Sequence, residues 1–125
     1  MFAIHCASCH RLEGNGWNVG PDLFGIRNHT KEVTLAHILV PNQEIMPGFE
    51  AVSVKTKEGK TVSGILGSET DTSVTIRQAL GVETNILRSQ IEKLTASDLS
   101  LMPDGLEQAM TRQQMADLLA FLKGE

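Results

Sequence analysis

The sequence contains few aromatic residues: of its 125 residues, none is tyrosine, one is tryptophan and four are phenylalanine. A chain of this length is nevertheless expected to form one domain, or one domain with an insertion, and to bury roughly two-thirds of its unfolded surface. So few aromatic side chains provide little large, flat apolar surface, and a bound planar group would supply it.

Other absences exclude whole classes of function. No run of apolar residues is long enough to span a bilayer. The net charge of −4 argues against binding to nucleic acid or to an anionic membrane surface. The first residues do not have the pattern of a secretory leader, and there is no second pair of cysteines.

The two cysteines that are present form the most informative stretch of the chain. Cys6, Cys9 and His10 make a Cys-x-x-Cys-His pattern, which is typical of covalent haem attachment. Two intervening residues allow both thiols to reach vinyl groups on one macrocycle. The same short segment would then present the His10 imidazole to the iron. The motif therefore predicts one covalently bound haem c, with His10 as an axial iron ligand.

Two other interpretations of this pattern remain open. A redox-active dithiol would be expected beside a βαβ pattern, and none is visible. A structural zinc site needs four ligands; His10 would supply a third, and His29 or His37 a fourth. His29 and His37 are also candidates for a second iron ligand.

The residues after the motif form a loop rich in glycine and asparagine, followed by a Gly-Pro-x-Leu segment at residues 20–23. Trp17 lies in the loop and either anchors it to the core or forms a wall of the haem site. This part of the chain resembles class I c-type cytochromes. The resemblance implies that the Pro21 carbonyl accepts a hydrogen bond from His10, that Leu23 packs on the haem, and that Arg27 lies near a propionate. An acceptor of this kind fixes the tautomer and orientation of a metal-bound histidine.

The middle of the chain changes from helical to strand-like patterns. Residues 30–40 predict a short helix with Thr30 as its N-cap. From residue 49 to residue 94, apolar and polar residues alternate between glycine-containing turns, which predicts a small antiparallel sheet or barrel. Class I cytochromes are otherwise helical, so we interpret this stretch as an insertion.

A second helix is predicted near the C terminus, with a capping box formed by Thr111 and Gln114. In class I cytochromes, a Met-Pro loop before the last helix supplies the sixth iron ligand, and Met102 occupies that position. Met46 also precedes a proline and remains an alternative. The resemblance further implies that the last helix crosses the first one near Phe2.

The whole chain resembles haem-binding domains found at the C-terminal end of large exported bacterial proteins that carry a β-propeller similar to a dehydrogenase. The resemblance rests on segments 6–10, 20–23, 48–49, 56–60, 100–106 and 117–122. It implies an α+β fold, with a mainly helical class I cytochrome c core carrying an inserted small antiparallel β-sheet or barrel. The expected parts are residues 1–48, residues 49–95 as the insertion, and residues 96–125.

The expected function is electron transfer rather than enzymatic catalysis. A haem iron held by His10 and Met102 has no free coordination position and passes single electrons. The resemblance implies a dehydrogenase, fused or docked, as the donor and another electron carrier as the acceptor. Haem attachment in bacteria normally occurs outside the cytoplasm, so we expect a periplasmic or otherwise exported protein whose leader or upstream domains are not part of this sequence. The alternative is a haem-based sensor or peroxidatic domain with an open sixth position. The oligomeric state stays undetermined.

Overall fold

The computed structural model describes all residues from Met1 to Glu125. The chain forms three α-helices, seven β-strands and four short 3-10 helices. The α-helices are α1 (Phe2–His5), α2 (Lys31–Leu39) and α3 (Arg112–Lys123), and the strands are β1 (Arg11–Leu12), β2 (Asn15–Gly16), β3 (Ala51–Thr56), β4 (Thr61–Glu69), β5 (Ser73–Gln78), β6 (Val82–Leu87) and β7 (Ile91–Ala96). The 3-10 helices are Ile26–Asn28, Ala79–Gly81, Arg88–Gln90 and Leu106–Ala109.

Strands β3 to β7 form one antiparallel sheet in the order β6-β5-β4-β3-β7. Strands β3 to β6 follow one another as a meander, and β7 returns to pair with the free side of β3. We call residues 51–96 the sheet region and residues 1–50 together with 97–125 the helix-and-loop region. The short strands β1 and β2 form a separate hairpin in the latter.

The sheet region has its own apolar core. Alternating residues of a strand point to one face of the sheet, and here one face carries β-branched side chains that favour strands. Val54, Val74 and Ile76 are completely buried, and Val52 and Ile86 join them in one cluster. The alternation in the sequence reflects this cluster. Ala51 and Ile65, which pair with each other on the opposite face of the sheet, are buried as well.

The two longer helices begin at side-chain caps. Thr30 Oγ1 accepts a hydrogen bond from the Val33 amide, and Thr111 forms a reciprocal capping box with Gln114. Such caps satisfy backbone amides that have no partner within the helix. Helix α3 ends at Gly124, which adopts a left-handed conformation. None of the helices has the length and apolar character needed to cross a bilayer.

A second, separate apolar cluster holds the helix-and-loop region together. Its buried members come from α1, β1, α2 and α3, and they are Phe2, Leu12, Ile38, Met115, Leu118, Leu119 and Leu122. The rings of Phe2 and Phe121 lie 5.6 Å apart between centroids. The first and last helices therefore meet, which is what the resemblance to class I cytochromes implies.

The predicted fold class, a mainly helical class I cytochrome c core with an inserted sheet, is wrong. Helices and strands each account for about 30% of the chain, and the five-stranded sheet is its largest element. The three α-helices have only four, nine and twelve residues, whereas the sheet combines one strand of nine residues with four strands of six.

Candidate cofactor-attachment site

The two cysteines and His10 lie on one tight turn that follows α1. Cys6 ends this helix, and its carbonyl oxygen accepts hydrogen bonds from the amides of Cys9, at 3.1 Å, and His10, at 2.8 Å. All five residues from Cys6 to His10 are partly exposed. Two thiols and an imidazole are therefore presented close together and within reach of a ligand.

The His10 ring is held by backbone contacts on two sides. Its Nδ1 atom lies 2.8 Å from the Pro21 carbonyl oxygen. A carbonyl only accepts hydrogen bonds, so Nδ1 must carry the proton, and Nε2 of the neutral ring is left as the metal-binding atom. Gly20 packs on the ring so closely that a Cβ there would lie 2.7 Å from His10 Cε1.

The segment that follows the motif wraps back over it. The amides of Val19 and Gly20 both donate to the Cys9 carbonyl, and the Trp17 amide donates to the carbonyls of Ala7 and His10. These bonds place the Gly20–Pro21 pair against the imidazole. The loop thus holds His10 in place through residues that lie up to eleven positions further along the sequence.

The Cys6 thiol lies in an apolar environment. Burial raises the pKa of this thiol above its usual value, with a smaller lowering by the N-terminal amino group and a smaller raising by Cys9. Both cysteines are free. Reactive dithiols in Cys-x-x-Cys oxidoreductases depend instead on a lowered pKa, so the environment of Cys6 argues against the dithiol interpretation.

Met102 and Met46 differ in whether they pack against the apolar cluster that also contacts the motif. Met102 packs against the same apolar cluster as Cys6 and Ala7. Its loop is fastened by a bond from its amide to Ser100 Oγ, at 3.1 Å. Met46 is 55% exposed and does not belong to that cluster. The structure brings Met102, and not Met46, into the core that the motif shares.

The other candidate residues have different positions. Leu23 packs against the same cluster as Cys6, and its amide donates to the Arg11 carbonyl. Arg27 forms an ion pair with Glu13 and lies against Gly124 near the end of the chain. Its guanidinium thus already has a carboxylate partner and makes no hydrogen bond to the motif.

The zinc interpretation requires ligands that the fold does not bring together. No group of three or more His, Cys, Asp or Glu side chains is placed to hold a metal ion. His29 and His37 are exposed, and their ring centroids lie 6.3 Å from each other. They form a pair on α2 and its preceding residues, separate from Cys6, Cys9 and His10.

Trp17 contacts the sheet region, and this contact reveals residues that sequence reasoning missed. The indole is 48% exposed and packs against Gly81, in the turn between β5 and β6. In the same turn, the Leu80 amide donates to the Ser8 carbonyl at 2.7 Å. Arg77 Nη1 donates to the Asn18 carbonyl at 3.2 Å. The sequence marks residues 80–81 as a turn but gives no sign of what the turn contacts.

The donor set fits a covalently attached haem. Two free thiols flank the turn, the imidazole has its Nδ1 on a carbonyl, and a thioether shares the core around them. Imidazole and thioether are a known axial pair for haem iron. The chain matches no family model, and no curated protein is significantly similar to it.

Proposed function

We propose that this protein is an electron carrier with one covalently bound haem c, attached through Cys6 and Cys9. The observation that supports this most strongly is the His10 imidazole, which follows the second cysteine directly and has its Nδ1 atom 2.8 Å from the Pro21 carbonyl. That arrangement leaves Nε2 free to bind iron. When bound, the haem would supply an iron centre that accepts and releases single electrons.

In this proposal each residue has a defined task. His10 binds the iron, and Pro21 fixes its tautomer and increases its basicity. Gly20 holds the ring in place by direct contact. Met102 provides a thioether ligand from the shared core, and the His/Met pair raises the reduction potential. Leu23 packs against the same apolar cluster as Cys6 and would pack on the haem.

The partners follow from the same chemistry. An iron with both axial positions filled offers no site for a substrate, so the protein would exchange electrons with other proteins instead of catalysing a reaction. We propose a dehydrogenase, fused or docked, as the donor and a second electron carrier as the acceptor. Haem attachment through a Cys-x-x-Cys-His motif also suggests an exported, periplasmic protein.

The test is the visible spectrum of protein produced with haem-attachment machinery, compared between wild type and Met102→Ala. We expect a far-red sulfur-to-iron band in the oxidised wild type, and we expect Met102→Ala to lose it. Met46→Ala is the matched control, because it removes an exposed methionine that also precedes a proline. This control should keep the band.

Three results would contradict parts of the proposal. If Met46→Ala loses the band instead, Met46 is the ligand. If the wild type has no such band and binds carbon monoxide readily, the sixth position is open, and a sensor or peroxidatic role replaces electron transfer. If no haem attaches to the wild type, the proposed function is wrong.

A further inference from the structure

The sheet region contacts the candidate site at the end of β5 and in the turn between β5 and β6. Three contacts meet there: the Leu80 amide bonds to the Ser8 carbonyl, Gly81 packs on Trp17, and Arg77 bonds to the Asn18 carbonyl. Ser8 lies between the two cysteines. The turn therefore holds the backbone of the segment that would carry the haem.

The contact between Gly81 and Trp17 leaves no space for a side chain. A Cβ on Gly81 would lie 2.4 Å from Trp17 Cε3 and 2.8 Å from Cζ3, both on the indole ring. Real Cβ atoms do not approach an aromatic ring so closely, because the atoms would overlap. Glycine at this position thus allows the turn and the indole to meet in direct contact.

Leu80 adopts a conformation that its side chain disfavours. Its φ angle is +62°, in the left-handed region that costs a non-glycine residue of order 1 kcal/mol or more. The next residue, Gly81, is also left-handed at φ +71°. This is the residue whose amide donates a hydrogen bond to the Ser8 carbonyl.

Arg77 adds a third contact that reaches across from β5. Its guanidinium makes a single hydrogen bond, from Nη1 to Asn18, while Nε is buried without a partner. An unpaired buried donor destabilises a structure, so the side chain is held in this position in spite of that cost. A cavity of about 410 Å³ lies beside it and is lined by Arg77, Glu83 and the loop of residues 11–19.

We propose that the β5–β6 turn and the adjoining Arg77 form a positioning element for the haem-attachment segment, and that Leu80, Gly81 and Arg77 tune the reduction potential by limiting the access of water to that segment on the side of Ser8 and Trp17. This inference depends on the proposed haem. Water in the adjoining cavity reaches the segment when the turn moves away. Ferric haem carries one more positive charge than ferrous haem, so water stabilises the oxidised form and lowers the potential.

The main test compares Gly81→Ala with Gly59→Ala. Gly59 is also left-handed, at φ +89°, and it lies in the turn between β3 and β4, where a Cβ meets nothing within 4 Å. Both variants impose the same kind of backbone strain on a turn of the same sheet. Only Gly81→Ala pushes a methyl group into Trp17, so the difference between them isolates that contact.

Two readouts are needed. Amide hydrogen exchange of Leu80 and the fluorescence of Trp17, the single tryptophan, report whether the contact opens, with or without haem. Spectroelectrochemical titration of the loaded protein reports the potential. We expect Gly81→Ala to increase Leu80 exchange and to shift the ratio of oxidised to reduced protein about threefold to tenfold toward oxidised, tenfold being 59 mV for one electron. Gly59→Ala should change neither.

A second pair of variants decides the question if Gly81→Ala does not fold. Arg77→Lys keeps the positive charge but removes the guanidinium that bonds to Asn18, and it should lower the potential as Gly81→Ala does. Arg88→Lys is its control, since Arg88 also donates to a backbone carbonyl, that of Thr70, but within the sheet region. Unchanged potential in Gly81→Ala or Arg77→Lys, with Leu80 exchange increased, would overturn the inference. Absence of haem from the wild type would instead overturn the proposed function.

Discussion

The centre of the sheet is buried more completely than the segment that carries the candidate site. Val54, Val74 and Ile76 have no exposed surface, whereas every residue from Cys6 to His10 is partly exposed. Both regions leave some large apolar side chains in water, such as Leu80 in the sheet region, at 62% exposed, and Phe24 in the helix-and-loop region, at 85%. One region thus completes its core with its own side chains, and the other combines a core with a reactive, accessible surface.

This difference shows how the two regions contribute to function. Burial of apolar surface stabilises a fold by roughly 25 cal/mol per Å², so the sheet region can serve as a rigid support. A site that must attach a cofactor and meet a partner protein has to keep chemical groups accessible. The contacts of Leu80 with Ser8 and of Gly81 with Trp17 join the rigid region to the accessible one.

The largest effect should come from the sheet core. Ile76→Ala removes most of a completely buried side chain and should lower the free energy of unfolding by about 2–5 kcal/mol. Urea unfolding followed by circular dichroism measures it. Leu87→Ala, on β6 of the same sheet but 47% exposed, is the control and should cost much less. Equal losses in both variants would show that the sheet has no tightly packed core.

An intermediate effect is expected at the imidazole. Gly20→Ala places a methyl group against the His10 ring and should cost about 1–3 kcal/mol of stability, typical of overpacking. It should also displace Nδ1 from Pro21, which nuclear magnetic resonance of the His10 ring can detect. Gly25→Ala, in the same loop but with nothing within 4 Å, should leave the ring unchanged. An undisturbed His10 signal in Gly20→Ala would mean that the ring is not held by this contact.

The smallest effect concerns pH and the Cys6 thiol in haem-free protein. Its pKa is raised by burial above the ordinary 9.0. The stabilisation from this thiol is fully present below the pKa of the unfolded chain. As pH rises above that pKa, the thiol ionises in the unfolded chain but stays protonated in the folded protein, so the free energy of unfolding falls. Unfolding free energies measured between pH 7 and 10 should therefore fall more in wild type than in Cys6→Ser. An identical decline in both proteins would mean that this thiol does not contribute.

The sequence alone predicts part of this structure for physical reasons. Alternation around Val52 and Val54 indicates a strand, since these two side chains enter the apolar cluster while those of Ser53 and Lys55 do not. The capping box of Thr111 and Gln114 is readable because both members lie within one helical turn. The bond between His10 and Pro21 was implied by a resemblance, because the Gly-Pro segment is close in sequence to the motif.

Other features depend on how distant segments meet. The mainly helical prediction is wrong because the helices are short, and the sheet that was expected as an insertion is the largest element of the chain. The contact between Leu80 and Ser8 joins residues far apart in the chain, and leucine is an unusual residue for a left-handed turn. Neither local propensity nor spacing carries that information.

The pairing of the first and last strands of the sheet also bears on how the chain folds. Val52 pairs with Ala96, and the Ser97 amide bonds to the Ala51 carbonyl at 2.9 Å, so the polypeptide enters and leaves the sheet at the same point. Once β3 and β7 have paired, the chain before β3 and the chain after β7 start from neighbouring points. The entropic free-energy cost of closing a loop grows with the logarithm of its length, by about 0.6 kcal/mol per doubling. We therefore expect the sheet to fold first. The pairing of β3 with β7 would then shorten the flexible chain between α1 and α3 and lower the entropic cost of their contact.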